Sequence, residues 1–281
     1  RLHFERTSTG TALPDLTPRC AIACDGIHSA IRKQLHPDEG DPRYSGVNMW
    51  RGVTRMPPIL SGATMVRAGW LDTGKLVAYP IRSFDDGTQL QNWVAEITMP
   101  LQKHPRDWNR SGRLDDFLPA FADWRFDWLD VPKMFADAEV LLEFPMVDQD
   151  PLPFWTDGRV TLMGDAAHPM VPRGSNGAGQ AILDAECMAG LLADNMEPAA
   201  AFQRYEAERL EATTRVVLTN RVAAPDTVIR EVLERIGDKP FDDLDAVISQ
   251  DELRAIISRY QEVAGYDLKT LRAKSAELAA R

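Results

Sequence analysis

The chain has 281 residues, a formal net charge of −10, and 44% hydrophobic against 26% charged residues. That balance is ordinary for a globular protein with a substantial core, while the acidic excess argues against nucleic acid or an anionic membrane as partner. No apolar run approaches the roughly 20 residues that span a bilayer, no signal or lipidation motif is visible, and Cys20, Cys24 and Cys187, without C-x-x-C spacing, read as reduced thiols of a cytoplasmic protein.

In chain order, Arg1-Leu2-His3-Phe4-Glu5 reads as a strand already under way, followed by a turn-rich link from Thr7 to Pro18. Cys20 to Cys24 is a short apolar strand ending at Asp25-Gly26, and Ser29 to Leu35 reads as a short helix closed by His36-Pro37. From Tyr44 the texture changes. Asn48–Arg55, Thr64–Ala68, Lys75–Ile81 and Leu90–Thr98 are strand-like and separated by Pro57-Pro58, Gly62, Gly74 and Asp85-Asp86-Gly87. Such short connections predict an antiparallel sheet, because parallel strands need longer crossovers. Trp93, Ala95 and Ile97 alternate with Asn92, Val94 and Glu96, which makes one face apolar. Leu114, Phe117, Leu118 and Phe121 have the spacing of an amphipathic helix. Val140 to Pro145 is expected to lead back to the first domain.

The densest signal lies between Gly158 and Leu192. Arg159 to Met163 predicts a strand, Gly164-Asp165-Ala166-Ala167 a small-residue turn, and Gly174, Gly177 and Gly179 a glycine-rich approach to a helix with Ile182, Ala185, Ala189 and Leu192 at helical spacing. A helix N-terminus directs free N–H groups at negative charge, and a carboxylate at the strand end accepts bonds from hydroxyls. The stretch reads as a ligand cradle. Beyond it, Glu197–Ala224, Asp226–Gly237, Leu244–Gly265 and Leu268–Ala280 are expected to be helical.

Two of these segments carry a resemblance. Asp25-Gly26-Ile27-His28-Ser29-Ala30-Ile31-Arg32 resembles the D-G-x-x-S-x-x-R motif of the single-component FAD-dependent aromatic hydroxylases. Gly164-Asp165-Ala166-Ala167-His168, with Pro172 and the Gly/Asn turn before Ala181, resembles that family's second FAD motif. Met49 to Thr54, Val77 to Ile81, Asn92 to Val94 and Pro145 to Asp148 are most similar to its phenazine-hydroxylase and salicylate-hydroxylase-like branch. The family's opening βαβ unit with G-x-G-x-x-G has no counterpart, so the resemblance implies that the family's N-terminal third is missing.

The implied fold is α/β: a truncated FAD-binding domain of the glutathione-reductase-like, Rossmann type, an inserted antiparallel-sheet substrate domain, and C-terminal helices. The expected division is 1–43 and 146–224 for the FAD-binding parts, 44–145 for the insertion and 225–281 for a helical tail. The resemblance assigns FAD contacts to Asp25, Gly26, Arg32, Gly164, Asp165, Pro172, Asn176, Gly177 and Ala178. It makes Asp25 and Asp165 partners of the pyrophosphate–ribityl region and the helix N-terminus near Asn176 a partner of the N1/C2=O edge of the flavin. Taken alone, Asp165 could be a plain helix cap and Asp25-Gly26 an ordinary turn.

On the sheet, Trp50, Arg51, Tyr79 and Trp93 are the candidate substrate contacts. Core packing explains the aromatics, and a surface ion pair explains Arg51, equally well. His168 has no triad or metal-ligand spacing and is read as a structural or flavin-wall residue, so no metal and no acid–base residue are expected.

The implied activity is NAD(P)H- and O2-dependent hydroxylation of a phenazine carboxylate or similar aromatic acid through a flavin C4a-hydroperoxide, the cofactor supplying the chemistry. Expected partners are the aromatic substrate and O2, without nucleic acid or membrane, and a homodimer is compatible with the sequence. The alternative is a flavin-fold binding protein, or an inactive fragment, without catalysis.

Overall fold

The computed structural model describes residues 1–71, 73–101, 110–194, 196–222, 225–237 and 239–279. They form two compact units, one gathering 1–40, 149–222 and 259–281, the other 41–148 and 223–258.

The chain opens with a hairpin of β1 (Leu2–Arg6) and β2 (Thr11–Leu16). The expected turn-rich link thus contains a second strand, paired to the first. β3 (Ala21–Ala23) and the short helix α1 (Ala30–Leu35) follow.

The inserted sheet begins with β4 (Arg43–Met56), which starts well before the expected strand and ends one residue after it. β5 (Val66–Trp70), β6 (Gly74–Ser83) and β7 (Gln89–Thr98) add an antiparallel meander, with β8 (Arg110–Ser111) a short edge. A small hairpin of β9 (Arg125–Phe126) and β10 (Leu129–Asp130) leads into α2 (Val131–Ala136). β11 (Val140–Asp148) completes a six-stranded sheet of order β5-β6-β7-β4-β11-β8. Val140 to Pro145 is therefore a full member of the inserted sheet and not a return segment, because it finds its hydrogen-bond partners along β4. The amphipathic helix expected around Leu114 to Phe121 is two 3-10 turns, Leu114–Asp116 and Leu118–Phe121, with Pro119 in the first turn of the second. Proline lacks the N–H that a continuous helix would need there. Phe117 and Phe121 are nonetheless buried, as their spacing predicts.

One face of this sheet is the core of its unit. Trp50, Trp93, Phe117, Phe121 and Phe135 pack together, with Trp50 stacked on Phe117 at 4.9 Å between ring centroids and Trp93 tilted against Phe135 at 4.4 Å. The Trp93 Nε1–H donates to Thr54 Oγ1 at 2.9 Å, whose hydroxyl donates to the Met134 carbonyl at 2.7 Å. The opposite face carries a buried ion group. Lys75 Nζ donates to Glu96 at 3.1 Å and to Asp226 at 2.6 Å, while Arg67 Nη1 reaches the other Asp226 oxygen at 2.7 Å. Asp226 immediately precedes a later helix of the same unit, so this group fixes that helix to the sheet.

After the insertion, β12 (Thr156–Asp157) and β13 (Val160–Leu162) form a three-stranded sheet of order β12-β13-β3. β13 and β3 are parallel, with Thr161 opposite Ile22. Parallel neighbours need a crossover, and here the whole inserted sheet lies within it. Then come α3 (Gly177–Ala193), α4 (Pro198–Val222), α5 (Thr227–Ile236), α6 (Gln250–Ala264) and α7 (Leu268–Ala279). The helix expected from Leu244 starts only at Gln250; Ala224 and Ala280, which bound two expected helices, lie outside the described residues.

In α4 the expected inward pair, Phe202 and Tyr205, is fully buried, against Trp155, Leu162 and Met188. α3 behaves differently. Ile182 is 69% exposed, and the buried stripe is Gln180, Asp184 and Met188. No helix among the described residues is long and apolar enough to cross a membrane.

Candidate functional site

The first motif explains its own spacing. Gly26 takes a left-handed φ of +79°, which turns the chain out of β3. Asp25 Oδ2 then accepts the Ala30 N–H at 2.9 Å, and Ser29 caps α1 by accepting the Arg32 N–H at 3.0 Å. Capped in this way, α1 delivers Arg32 inward, where it is 2% exposed.

The second motif begins where β13 ends. Gly164, at φ +60°, starts a 3-10 turn over Gly164–Ala166 that leaves Asp165 exposed while Ala166 and Ala167 are buried. Arg32 joins the motifs. Its Nη1 donates to the carbonyls of Ala166 at 3.0 Å and Ala167 at 2.8 Å, Nη2 to that of Asp150 at 3.3 Å, and its guanidinium forks onto the Glu39 carboxylate.

The N-terminus of α3 lies beside the second motif. A methyl group added at Gly177 would sit 3.9 Å from Asp165 Oδ1. Asn176 occupies the N-cap position without a side-chain capping bond, is 7% exposed, and has a buried Nδ2 with no partner. Pro172 is exposed and opens the 3-10 turn Pro172–Gly174, and Ser175 takes the left-handed φ of +50° that feeds Asn176 into α3. Ala178 is exposed in the first turn, which contains no acidic side chain. Two carboxylates, a helix N-terminus and an uncommitted amide donor thus lie within one unit. Helix N–H groups and an amide suit electron-rich oxygens; the carboxylates suit hydroxyls.

A second set of residues, which the sequence reading did not assign to the site, holds this arrangement. Asp184 is fully buried and accepts the Gly164 N–H at 3.1 Å, His168 Nε2 at 2.6 Å and Arg209 Nε at 2.8 Å. Arg209 Nη2 also donates to Gln180 Oε1 at 2.8 Å, and Gln180 Nε2 to the Ala264 carbonyl at 2.9 Å. Burial pushes the Asp184 carboxyl up, but the hydrogen bond and charge of His168, joined by Arg209, outweigh it and hold the group below the usual carboxylate range. His168 is buried against Trp155.

The four substrate-side candidates do not share a face. Trp50 and Trp93 belong to the core face, 1% and 0% exposed, which makes packing their role in this unit. The register puts Arg51 opposite Val94, and Tyr79 opposite Asn92, on the other face. There Arg51 Nε donates to Asn92 Oδ1 at 3.0 Å, Tyr79 is half-buried, and Asn92 Nδ2 is buried without a partner.

A parallel strand pair, glycine turns, two carboxylates and a helix N-terminus make an α/β arrangement suited to a ligand that carries hydroxyls and electron-rich oxygens. Residues 147–220 match the FAD binding domain family. Phenazine 1,6-dicarboxylic acid hydroxylase PhzS of Lysobacter antibioticus is 41% identical over 263 residues, 92% of this chain and 64% of that protein. The 3-amino-4-hydroxybenzoate 2-monooxygenase PtnB3 of Streptomyces platensis is 38% identical over 194 residues, 67% of this chain and 46% of that protein. A salicylate hydroxylase substrate complex shares the fold, with a TM-score of 0.64 at 24% identity over 95% of this chain and 67% of its own. Residues 147–220 match the FAD binding domain family, and the chain as a whole is similar in sequence to these two curated enzymes. It spans less than two thirds of the length of these two curated relatives.

Proposed function

We propose that this chain forms the greater part of an FAD-dependent aromatic monooxygenase that uses NAD(P)H and O2 to hydroxylate an aromatic acid of the phenazine-carboxylate class. The observation that carries the reading is the joining of the two motifs through Arg32 beside the α3 N-terminus, where the buried Asn176 Nδ2 has no protein partner. An orphaned buried donor costs about 1–3 kcal/mol, and a flavin carbonyl would satisfy it. The relatives' chemistry supports the substrate class.

In this reading Asp25 and Asp165 accept hydrogen bonds from the ribityl hydroxyls of FAD, next to its pyrophosphate. Gly26 and Gly164 turn the backbone close to it, and Pro172 walls the site. Asn176, Gly177 and Ala178 present N–H groups to the pyrimidine edge of the ring, stabilising negative charge there by roughly 0.3–2 kcal/mol. Arg32 holds the two carboxylate-bearing turns together. Bound FAD would supply the redox and oxygen chemistry. Arg51, steadied by Asn92, pairs with the substrate carboxylate, and Tyr79 contacts its ring. In domain terms, 1–43 and 146–224 serve the cofactor, 44–145 the substrate.

The test is an absorbance spectrum and FAD titration of the purified chain, followed by NAD(P)H consumption with a phenazine carboxylate and mass analysis of the product. Bound flavin and a product heavier by one oxygen support the proposal. Bound flavin without substrate-stimulated NAD(P)H oxidation would make this a binding protein. Failure to take up FAD under any condition would remove the flavin reading altogether.

A further inference from the structure

We infer that Asp184 is the positioning residue that sets the Asp165 turn against the α3 N-terminus, and so tunes how FAD is held; this rests on the FAD-binding reading above. Asp184 projects from α3 and grips both ends of the turn from Gly164 to His168: the N–H of Gly164 at 3.1 Å and the Nε2 of His168 at 2.6 Å. Between those two grips lies Asp165, exposed and beside Gly177 at the start of the same helix. The helix that contributes N–H groups and the turn that contributes a carboxylate are therefore stapled by one side chain.

The carboxylate is itself fixed from outside the pair. Arg209 of α4 donates to its second oxygen at 2.8 Å and at the same time to Gln180 Oε1, one helical turn earlier on α3. Gln180 in turn donates to the Ala264 carbonyl at the end of α6. Asp184 thus cannot follow the turn if the turn moves; the turn must follow Asp184. A buried, ionised acceptor shared among a backbone N–H, a histidine and an arginine makes strong, charge-assisted bonds, and losing its charge weakens all three together.

The experiment compares the 281-residue chain with its Asp184→Asn variant, a change of nearly the same volume that removes the charge. Three readouts are taken: amide hydrogen exchange from Gly164 to His168 without FAD, FAD affinity, and the visible circular dichroism of bound flavin. Faster exchange in the turn, FAD binding weaker on the order of tenfold and an altered flavin dichroism, with thermal melting retained, are the expected results. Unchanged exchange, or wild-type affinity with unchanged flavin dichroism, would overturn the inference. Should Asp184→Asn not fold, His168→Leu, which releases one end of the turn, decides by the same readouts in the same directions. If no FAD is taken up by the unaltered chain, with or without the family's N-terminal βαβ unit supplied, the flavin reading fails, and the exchange measurement still judges the role of Asp184 separately.

Discussion

Arg32 donates to the backbone carbonyl of Ala167 at 2.8 Å across 135 residues of sequence. The arginine of one motif is thus a scaffold for the other: the bond reaches the peptide that follows the Gly164–Ala166 turn, leaving the exposed Asp165 free for a ligand. A guanidinium is suited to this because its fork serves a carboxylate and several carbonyls at once.

Arg32→Ala should therefore cost about 3–5 kcal/mol, the usual penalty for removing one partner of a buried ion pair, and should weaken FAD binding in parallel. Arg32→Lys should recover only part, since an ammonium group cannot fork. Urea denaturation and flavin titration of both variants check this; a neutral Arg32→Ala would contradict the scaffold role.

Lys75 balances Glu96 and Asp226, with side chains 2%, 6% and 4% exposed. Lys75→Met should leave the buried Glu96 carboxylate without its cation, with Asp226 still held by Arg67, and destabilise the protein by about 3–5 kcal/mol. Arg235→Ala, which breaks an exposed pair with Glu252 at 2.9 Å, should leave stability nearly unchanged, because solvent screens the pair. Chemical denaturation of the two variants side by side gives the comparison.

Trp93 lies across Gly52, its partner in the ladder, so closely that a Cβ added at Gly52 would overlap the indole ring. Gly52→Ala should cost at least about 1–3 kcal/mol by overpacking and shift the tryptophan emission. Val53→Ala, next to it but half-buried on the opposite face, should leave the emission unchanged.

Cys187 is pushed up to about 11 from an ordinary 9.0, first by burial and then by its contact with Glu208. A thiol raised in the folded state contributes stability that is fully present below its unfolded value and is lost as pH rises towards the folded one. Alkylation of Cys187 should therefore stay slow at pH 9 and accelerate towards 11, with stability declining over the same window. Mass-resolved iodoacetamide labelling of the native and urea-unfolded chain would show it; equal rates at pH 9 would refute it.

Much of the architecture could be read from residue spacing. Strand alternation around Trp93, the capped helix that carries Arg32 and the inward pair of α4 all follow local rules that tertiary packing does not override. What escaped depends on partners distant in sequence. α3 was assigned an apolar face through Ile182, yet its buried stripe runs through Gln180 and Asp184, because Gly164, His168 and Arg209 supply polar partners no periodicity can announce. Val140 to Pro145 reads as a return segment because its partner along β4 lies far back in the chain. Grouping Trp50 with Arg51 overlooked the period of two that separates them. The one clue to Asp184 was a carboxylate among small and apolar neighbours in the helix that follows the glycine turn.

The register of the inserted sheet bears on how the chain folds. Its first and last strands, β4 and β11, lie side by side, with Arg43 opposite Asp148. The insertion therefore begins and ends at one place, like a loop of rope cinched at its neck. Once the meander and β11 have zipped up, most of the closure entropy for joining β3 to β13 has already been met within the sheet. The parallel pair can then form as though only short tethers separated it. Substitutions that unzip the β4–β11 neck should thus slow assembly of the cofactor unit while touching none of its residues, a kinetic dependence of one unit on the other's seam.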